Sequence, residues 1–261
     1  MPEGDTLFRT AAGLRPYLVG RDVLAARAQG PGPVPQIQRV VGKRVDAVEA
    51  QGKNLLIRFD GGLELRTHLR MNGSWHRYRP GERWRRPPGR ARLVLEVDGA
   101  VAVCFDAPVV ELFETRAERV HPSLSRLGPD LLAPDFDAAE ARRRLRAPER
   151  QAMPIGGALL DQRAMAGLGN IWRNETLFAE RVDPFVAVAK VDDATLDRLI
   201  ATGRRLLSAS ATLAPGRAPT RVYRKTGRPC PRCGTPIRSA PLGGDVPRTT
   251  YWCPTCQGGT T

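Results

Sequence analysis

The feature that most constrains the fold is a set of four cysteines close to the end of the 261-residue chain. They form two C-x2-C pairs, Cys230 with Cys233 and Cys253 with Cys256, separated by 19 residues. This spacing is typical of four thiolates that hold one zinc ion, and disulfides are the alternative. The chain starts without a secretory signal, and disulfides are rare in reducing compartments. We therefore predict a zinc finger over residues 222–261, with one structural Zn²⁺.

The fifth cysteine, Cys104, lies in the apolar run VAVCF. A free cysteine in such a run behaves as a small hydrophobic side chain. We expect Cys104 to belong to a hydrophobic core.

A large positive charge indicates a polyanionic partner. Lysine and arginine number 41 against 27 aspartates and glutamates, which gives a formal net charge of +14. Basic side chains that neutralise phosphates release condensed counterions, so nucleic acid is the first candidate. Only four of the 41 basic residues are lysines. A GC-rich coding bias, with arginines that are merely solvated, is therefore the alternative.

The hydropathy pattern indicates where in the cell the protein is located. No stretch approaches the ~18 consecutive apolar residues of a membrane span. We expect a cytoplasmic protein that associates with the nucleoid through DNA and has no membrane partner.

Residues 1–122 are predicted to form one helix and a β-sandwich or barrel. Apolar residues recur at helical spacing from Asp5 to Val19, and Gly20 follows where a helix C-cap belongs. Two later segments, NLLIRFDGGLELRTHL and RLVLEVDGAVAVCF, each place Asp-Gly between β-rich runs. Asp-Gly in that setting is a strong signal for a β-hairpin.

Residues 123–221 are predicted to be helical. Helical patterns occur in DAAEARRRLR, GGALLDQ, IWRNETLFAERV and DATLDRLIATGRRLLSASATL. The predicted fold class is therefore α+β and multidomain, with a helical domain between the sandwich and the zinc finger.

The segment MAGLGNIWRNETLF places Gly167 and Gly169 in a tight turn, with Asn170 at the start of the next helix. Glycines allow the backbone to approach a ligand closely, and a helix N-terminus offers unpaired N–H groups. Such a turn can bind a phosphate. The alternative is that Asn170 only caps the helix.

Several motifs occur in order over nearly the whole chain. They are MPEGDTL, QGKNLL, HLRMNGSW, LLDQRAMAGLGNIWRNETLF, and VYRKTGRPCPRCGTPI followed by RTTYWCPTCQ. This ordered set resembles the formamidopyrimidine-DNA glycosylase and endonuclease VIII family of base-excision repair enzymes. The resemblance implies a helix-two-turn-helix domain between the sandwich and the zinc finger. It also implies that damaged double-stranded DNA is held between the lobes, and we expect a monomer.

The resemblance implies roles for individual residues. Pro2 matches the nucleophile, Glu3 its acid/base partner, and Lys53 a catalytic cation near the lesion. Asn170 and Arg248 match groups that hold the phosphates flanking the flipped nucleotide, and we count Arg248 among the catalytic residues as well. Gly169 and Met71 complete the predicted DNA-binding set.

The opening MPEG fits this chemistry. Removal of Met1 leaves Pro2 as a secondary amine that can attack C1′ of the deoxyribose and form an iminium, which leads to β/δ-elimination. The alternative is ordinary helix punctuation, in which Asp5 caps the first helix.

Met71 lies in HLRMNG, where the family places the wedge that fills the gap left by a flipped base. The alternative is a buried methionine at a strand end. For substrate preference, PEGDTL resembles the endonuclease VIII branch, which prefers oxidised pyrimidines, whereas RMNG resembles the purine branch. Val109 and Val110 stand in place of the purine branch's Arg-Phe pair, and APGRAPTRVY is short for a loop that caps 8-oxoguanine. We expect a preference for oxidised pyrimidines.

Two other functions compete with a repair glycosylase. A zinc-ribbon protein that binds nucleic acid without catalysis explains the charge and the cysteines, but leaves Pro2, Glu3 and Lys53 without a role. The second competing function is that of a catalytically silent relative that only recognises damaged DNA. The presence of both Pro2 and Glu3 argues against it.

Overall fold

The computed structural model describes residues 2–31, 33–214, 218–243 and 247–258. The chain divides into two units, Met1–Arg126 and Leu127–Thr261. The first predicted boundary, after residue 122, lies close to this division. Residues 127–221 of the predicted helical domain and the predicted zinc-finger segment 222–261 share the second unit. Hydrogen bonds described below join a helix of this unit to the hairpin that precedes Cys253.

The first unit begins with helix α1, Gly4–Leu18, whose apolar side chains recur on one buried face. Gly20 follows with a φ of 79°, the left-handed conformation that terminates many helices at glycine. The predicted N-terminal helix is confirmed. Helix α1 packs against strands β2 and β3 of the sandwich that follows.

Among the described residues of the first unit, eight strands form two antiparallel sheets. Their bounds are β1 Val23–Ala28, β2 Val45–Gln51, β3 Asn54–Phe59, β4 Leu63–His68, β5 Ser74–Tyr78, β6 Ala91–Val97, β7 Ala100–Phe105 and β8 Val109–Glu114. The first sheet has the order β1-β6-β7-β5 and the second the order β2-β3-β4-β8. Both predicted Asp-Gly hairpins are present, at β3–β4 and at β6–β7.

The core of the first unit lies between the sheets and the buried face of α1. Cys104 is fully buried in it, and burial raises the pKa of its thiol. The prediction that Cys104 is a core residue is confirmed.

The second unit is helical, with a hairpin at its end. Its helices are α2 Ala138–Leu145, α3 Ile155–Ala158, α4 Asn170–Ala179, α5 Asp193–Thr212 and α6 Pro254–Gln257. The hairpin pairs β9, Arg238–Leu242, with β10, Arg248–Trp252. The segment GGALLDQ supplies only the single turn α3, because its two glycines disfavour a longer helix.

Among the described residues, no helix combines the length and the apolar character needed to cross a membrane.

Candidate active site and nucleic-acid interface

Pro2 and Glu3 stand at the N-terminal end of α1. Glu3 is the N-cap residue, and its carbonyl accepts hydrogen bonds from the amides of Thr6 and Leu7 at 2.9 and 3.1 Å. The Glu3 side chain is buried with 1% exposure, and Pro2 is half-buried. Asp5 lies in the first turn, so the alternative that it caps the helix is wrong. Met1 lies outside the described residues.

Lys53 occupies the turn between β2 and β3. The strands pair Gln51 with Asn54, so the connection is the two-residue turn Gly52-Lys53. Gly52 has a φ of 58°, a conformation that suits glycine at the first central position of such a turn. Lys53 is half-buried there, and its charge acts on His68, which pairs with Asn54 on the neighbouring strand.

His68 is a candidate that sequence reasoning missed. Burial lowers its pKa to about 4, with further lowering by the charges of Arg70, Arg66 and Lys53. The ring is therefore neutral at pH 7. Its Nδ1 accepts a hydrogen bond from the Arg70 amide at 3.2 Å, which assigns the proton to Nε2. Its position three residues before Met71, in the same motif, was the available signal.

Met71 lies in the turn that carries the chain from β4 in one sheet to β5 in the other. Its side chain is 51% exposed, so the alternative of a buried methionine is wrong. The preceding Arg70 has a φ of 49°, an uncommon left-handed conformation for an arginine. At Gly73 a Cβ atom would lie 2.6 Å from the carbonyl oxygen of Leu69, so this tight turn requires glycine.

Val109 and Val110 begin strand β8, where they pair with His68 and Thr67. Val110 is buried in the sandwich core, and Val109 is half-buried on the opposite face of the strand. Val110 therefore has a packing role in the sandwich.

Helix α4 begins at Asn170, and Gly169 is its N-cap residue. The alternative in which Asn170 is the cap is therefore wrong. The turn before the helix is shaped by Gly167, which has a φ of 97° and donates its amide to Gln162 Oε1 at 3.0 Å.

The first turn of α4 is hydrogen-bonded to strand β10. Asn170 Nδ2 donates to the carbonyl of Thr249 at 3.0 Å, and Arg173 donates to the same carbonyl at 3.2 Å. Arg173 also donates to Asn170 Oδ1 at 2.6 Å. One turn later, Asn174 Oδ1 accepts from the Tyr251 amide at 2.8 Å. Sequence reasoning missed Arg173 and Asn174 because their partners lie about 75 residues away.

Arg248 is the first residue of β10, directly before Thr249, and is half-buried. It pairs with Leu242 across the hairpin. The structure thus brings Arg248 next to the backbone carbonyl that the Asn170 amide binds. Residues 244–246 of the hairpin connection lie outside the described residues.

The four predicted cysteines converge. Their sulfur atoms all lie within 4.8 Å of one another, with 3.4 Å between Cys233 and Cys253 and 3.9 Å between Cys230 and Cys256. A tetrahedral zinc with Zn–S bonds of about 2.3 Å places sulfurs about 3.8 Å apart, so this set fits zinc.

The four sulfurs alter one another's protonation. Hydrogen bonds from Thr235 lower the pKa of Cys233 to about 6. Burial, together with the neighbouring thiols, raises the pKa of Cys256 to about 12. Four sulfurs this close are stable as thiolates together only around a cation.

Comparison with known proteins agrees with this geometry. The family model for the formamidopyrimidine-DNA glycosylase N-terminal domain matches residues 1–108, and that for the formamidopyrimidine-DNA glycosylase H2TH domain matches residues 127–217. A protein of Streptomyces coelicolor named probable endonuclease 8 2 is 39% identical, over 99% of this chain and 95% of its own. The chain belongs to the formamidopyrimidine-DNA glycosylase family.

Further relatives of this family support the fold. The DNA-(apurinic or apyrimidinic site) lyase Nei2 of Mycolicibacterium smegmatis is 37% identical over 98% of this chain and 99% of its own. The formamidopyrimidine-DNA glycosylase of Lactococcus lactis, solved bound to DNA containing an AP site, superposes with a TM-score of 0.85 at 24% identity. That match covers 98% of this chain and all of the other. The predicted fold class is confirmed.

Proposed function

We propose that the protein is a base-excision repair DNA glycosylase with AP lyase activity, in which the amine of Pro2 is the nucleophile. The observation that carries this proposal is the position of Pro2 beside the buried Glu3 at the start of α1, in a chain of this family. The lyase activity named for the Mycolicibacterium relative supports it.

The proposed reaction needs Met1 to be absent, because an amide nitrogen in Met1-Pro2 has its lone pair delocalised into the carbonyl. The free Pro2 amine attacks C1′, the bond to the damaged base breaks, and Glu3 protonates the ring oxygen as the sugar opens to an iminium. The iminium makes the C2′ proton acidic. Its loss expels the 3′ phosphate, and a second elimination expels the 5′ phosphate.

An N-terminal amine suits this role at neutral pH. A model α-amino group has a pKa of about 7.7–8.0 against about 10.4 for lysine, so roughly one-tenth is neutral at pH 7. The positive end of the α1 dipole lies beside Pro2 and disfavours its protonated form. A secondary amine also forms the iminium cation directly.

We further propose roles in DNA binding for side chains of each unit. Lys53 acts near the base and its sugar, and the neutral His68, with its proton on Nε2, donates to a phosphate. Asn170 and Arg248 bind flanking phosphates, with Gly169 permitting close approach of the backbone. Exposed Met71 is the wedge.

For the substrate we propose oxidised pyrimidines. The endonuclease 8 name of the Streptomyces relative supports this choice, as do the valines at 109 and 110. The short segment from Ala214 to Tyr223 supports it by its length; residues 215–217 of that segment lie outside the described residues.

We also propose that Cys230, Cys233, Cys253 and Cys256 hold one structural zinc ion. When bound, the ion fixes the hairpin that carries Arg248 and contributes to folding rather than to the chemistry.

The test is covalent trapping. Protein shown by mass spectrometry to lack Met1, incubated with duplexes each carrying one lesion, is expected to excise oxidised pyrimidines and to be fixed to DNA by borohydride. N-terminal acetylation should abolish trapping, and Pro2→Gly should reduce its efficiency. The two competing functions, a non-catalytic binder and a silent relative, predict no trapping at all.

Two outcomes distinguish the role of Pro2, the proposed nucleophile, from that of Lys53. If protein that retains Met1 traps and incises at the full rate, Pro2 is not the nucleophile and Lys53 becomes the next amine to examine. Lys53→Ala should slow base excision while its stability stays unchanged. The matched control is Lys190→Ala, an exposed lysine in the second unit.

A further inference from the structure

The connection between β5 and β6, residues 79–90, is unusually basic. We call it the arginine loop. It contains one acidic residue, Glu82, and five arginines, namely Arg79, Arg83, Arg85, Arg86 and Arg90.

The arginine loop is held to the first sheet at its centre. Trp84 stacks on Tyr78 at 6.1 Å between ring centroids and meets Phe105 edge-on at 5.8 Å. The Arg85 amide donates to the Tyr78 hydroxyl at 3.0 Å. Arg83 and Arg85 are therefore displayed on either side of an anchored tryptophan.

Two of the five arginines serve the structure. Arg86 and Arg90 donate to the carboxylate of Asp106 at 2.6 and 2.8 Å. Arg86 also donates to the carbonyl of Asn72 at 3.3 Å, in the turn whose tip is Met71. The arginine loop and the Met71 turn are thus fastened to each other.

The other three arginines have different surroundings. Arg79, Arg83 and Arg85 are exposed, and no ion pair involves their side chains within the described ranges. Some exposed arginines elsewhere in this unit are paired, such as Arg44 with Asp22 and Arg116 with Glu114. Others, such as Arg39 and Arg119, make no ion pair among the described residues, but they do not lie on an anchored loop beside the Met71 turn. Clustered like charges on an anchored loop repel one another unless an anion binds between them.

We infer that Arg79, Arg83 and Arg85 form a second DNA-binding surface, which grips backbone phosphates on one flank of the lesion. This inference rests on the proposed function, because it takes Met71 as the group that enters the DNA. An element bonded to the Met71 turn then lies beside the same duplex. Among the described residues, Arg79, Arg83 and Arg85 have no ion-paired carboxylate to leave when phosphates arrive.

The experiment compares two double variants of equal charge. Arg83→Gln with Arg85→Gln removes two arginines of the loop. Arg44→Gln with Arg116→Gln removes two paired arginines at the end of the second sheet opposite His68. Binding to a duplex with an uncleavable abasic-site analogue is measured from low to physiological salt.

The loop variant is expected to lower the slope of log K against log salt by about 1.8, and affinity near 0.1 M salt by roughly ten- to fifty-fold. The control should change affinity by no more than about two-fold, because distant surface charges are screened. The unfolding midpoint should stay unchanged in both variants, and single-turnover incision should stay unchanged in the control.

Shortening the duplex locates the contact. If the loop grips one flank, the deficit of the loop variant should vanish when that flank is removed and persist when the other is removed. A wild-type salt slope, or an equal deficit on every duplex and in the control, would overturn the inference. Failure of the proposed function is a separate result: wild-type protein would then not be trapped by borohydride, whatever the salt slope.

Discussion

Arg173 at the start of α4 and Arg83 in the arginine loop are the same side chain in opposite surroundings. Arg173 is fully buried and donates to Asn170 Oδ1 and to the carbonyls of Thr249 and Gly156. Arg83 is exposed and makes no ion pair within the part of the chain that the structure describes. The first joins helix α4 to the β9–β10 hairpin, and the second is available to a ligand.

The difference shows what a net charge of +14 can and cannot say. A buried guanidinium needs hydrogen-bond partners, since burying a charged group without them costs several kcal/mol. An exposed guanidinium remains hydrated and costs the folded state little free energy. It contributes binding free energy when it contacts a phosphate and counterions are released. Both contribute equally to the composition, so only position separates them.

The largest effect is expected from removing the proposed zinc site, one of whose cysteines directly follows β10. Cys253→Ser should abolish zinc binding, release β10 with the Thr249 carbonyl, and lower incision by at least about 100-fold. Metal analysis and incision assays check this. The control is Cys104→Ala, a core cysteine outside the cluster, which should retain zinc. One zinc per chain in the serine variant, with full activity, would contradict the prediction.

The contrast between the buried and the exposed arginine can be tested by replacing each with methionine. Arg173→Met leaves two backbone carbonyls and Asn170 Oδ1 without their charged donor in a buried site, and should cost about 2–4 kcal/mol of unfolding free energy. Arg83→Met should change it by no more than about 0.5 kcal/mol. Urea unfolding measures both. Equal effects would mean that burial does not distinguish the two arginines.

The parts of the molecule that could be predicted are those with local signals. The cysteine spacing, the Asp-Gly hairpins and the stripe of α1 each depend on residues near one another in sequence. The ordered motifs also pointed to Pro2 and Glu3, whose roles remain proposals.

The parts that escaped prediction depend on distant partners. The bond from Asn170 to Thr249 spans 79 residues, and no pattern in either segment announces it. The same holds for Arg86, which joins the arginine loop to both Asp106 and Asn72. Sequence spacing assigns residues to helices and strands, but it does not say which side chains form the hydrogen bonds that join one element to another.

Glu64 tests with an acidic side chain whether a buried charge needs hydrogen-bond partners, and the expected change in unfolding free energy is the smallest of those predicted. Glu64 on β4 is buried, and its Oε1 has no hydrogen-bond partner among the described residues, while its Oε2 accepts from half-exposed Arg58 at 3.2 Å. Burial, followed by the charge of Glu118, raises the pKa of Glu64 from 4.5 to about 7.

Because this carboxyl binds its proton more tightly in the folded state, its stabilising contribution is complete below about pH 4.5 and is lost as the pH rises through 7. Glu64→Gln keeps the shape without the charge. Relative to wild type it should therefore gain about 1–3 kcal/mol of unfolding free energy between pH 5 and pH 8. Urea unfolding of both proteins across that range measures the gain, with the exposed, paired Glu114→Gln as control. A difference that stays constant with pH would mean that Arg58 holds Glu64 ionised in the folded protein, and that one half-exposed arginine is enough to stabilise a buried carboxylate.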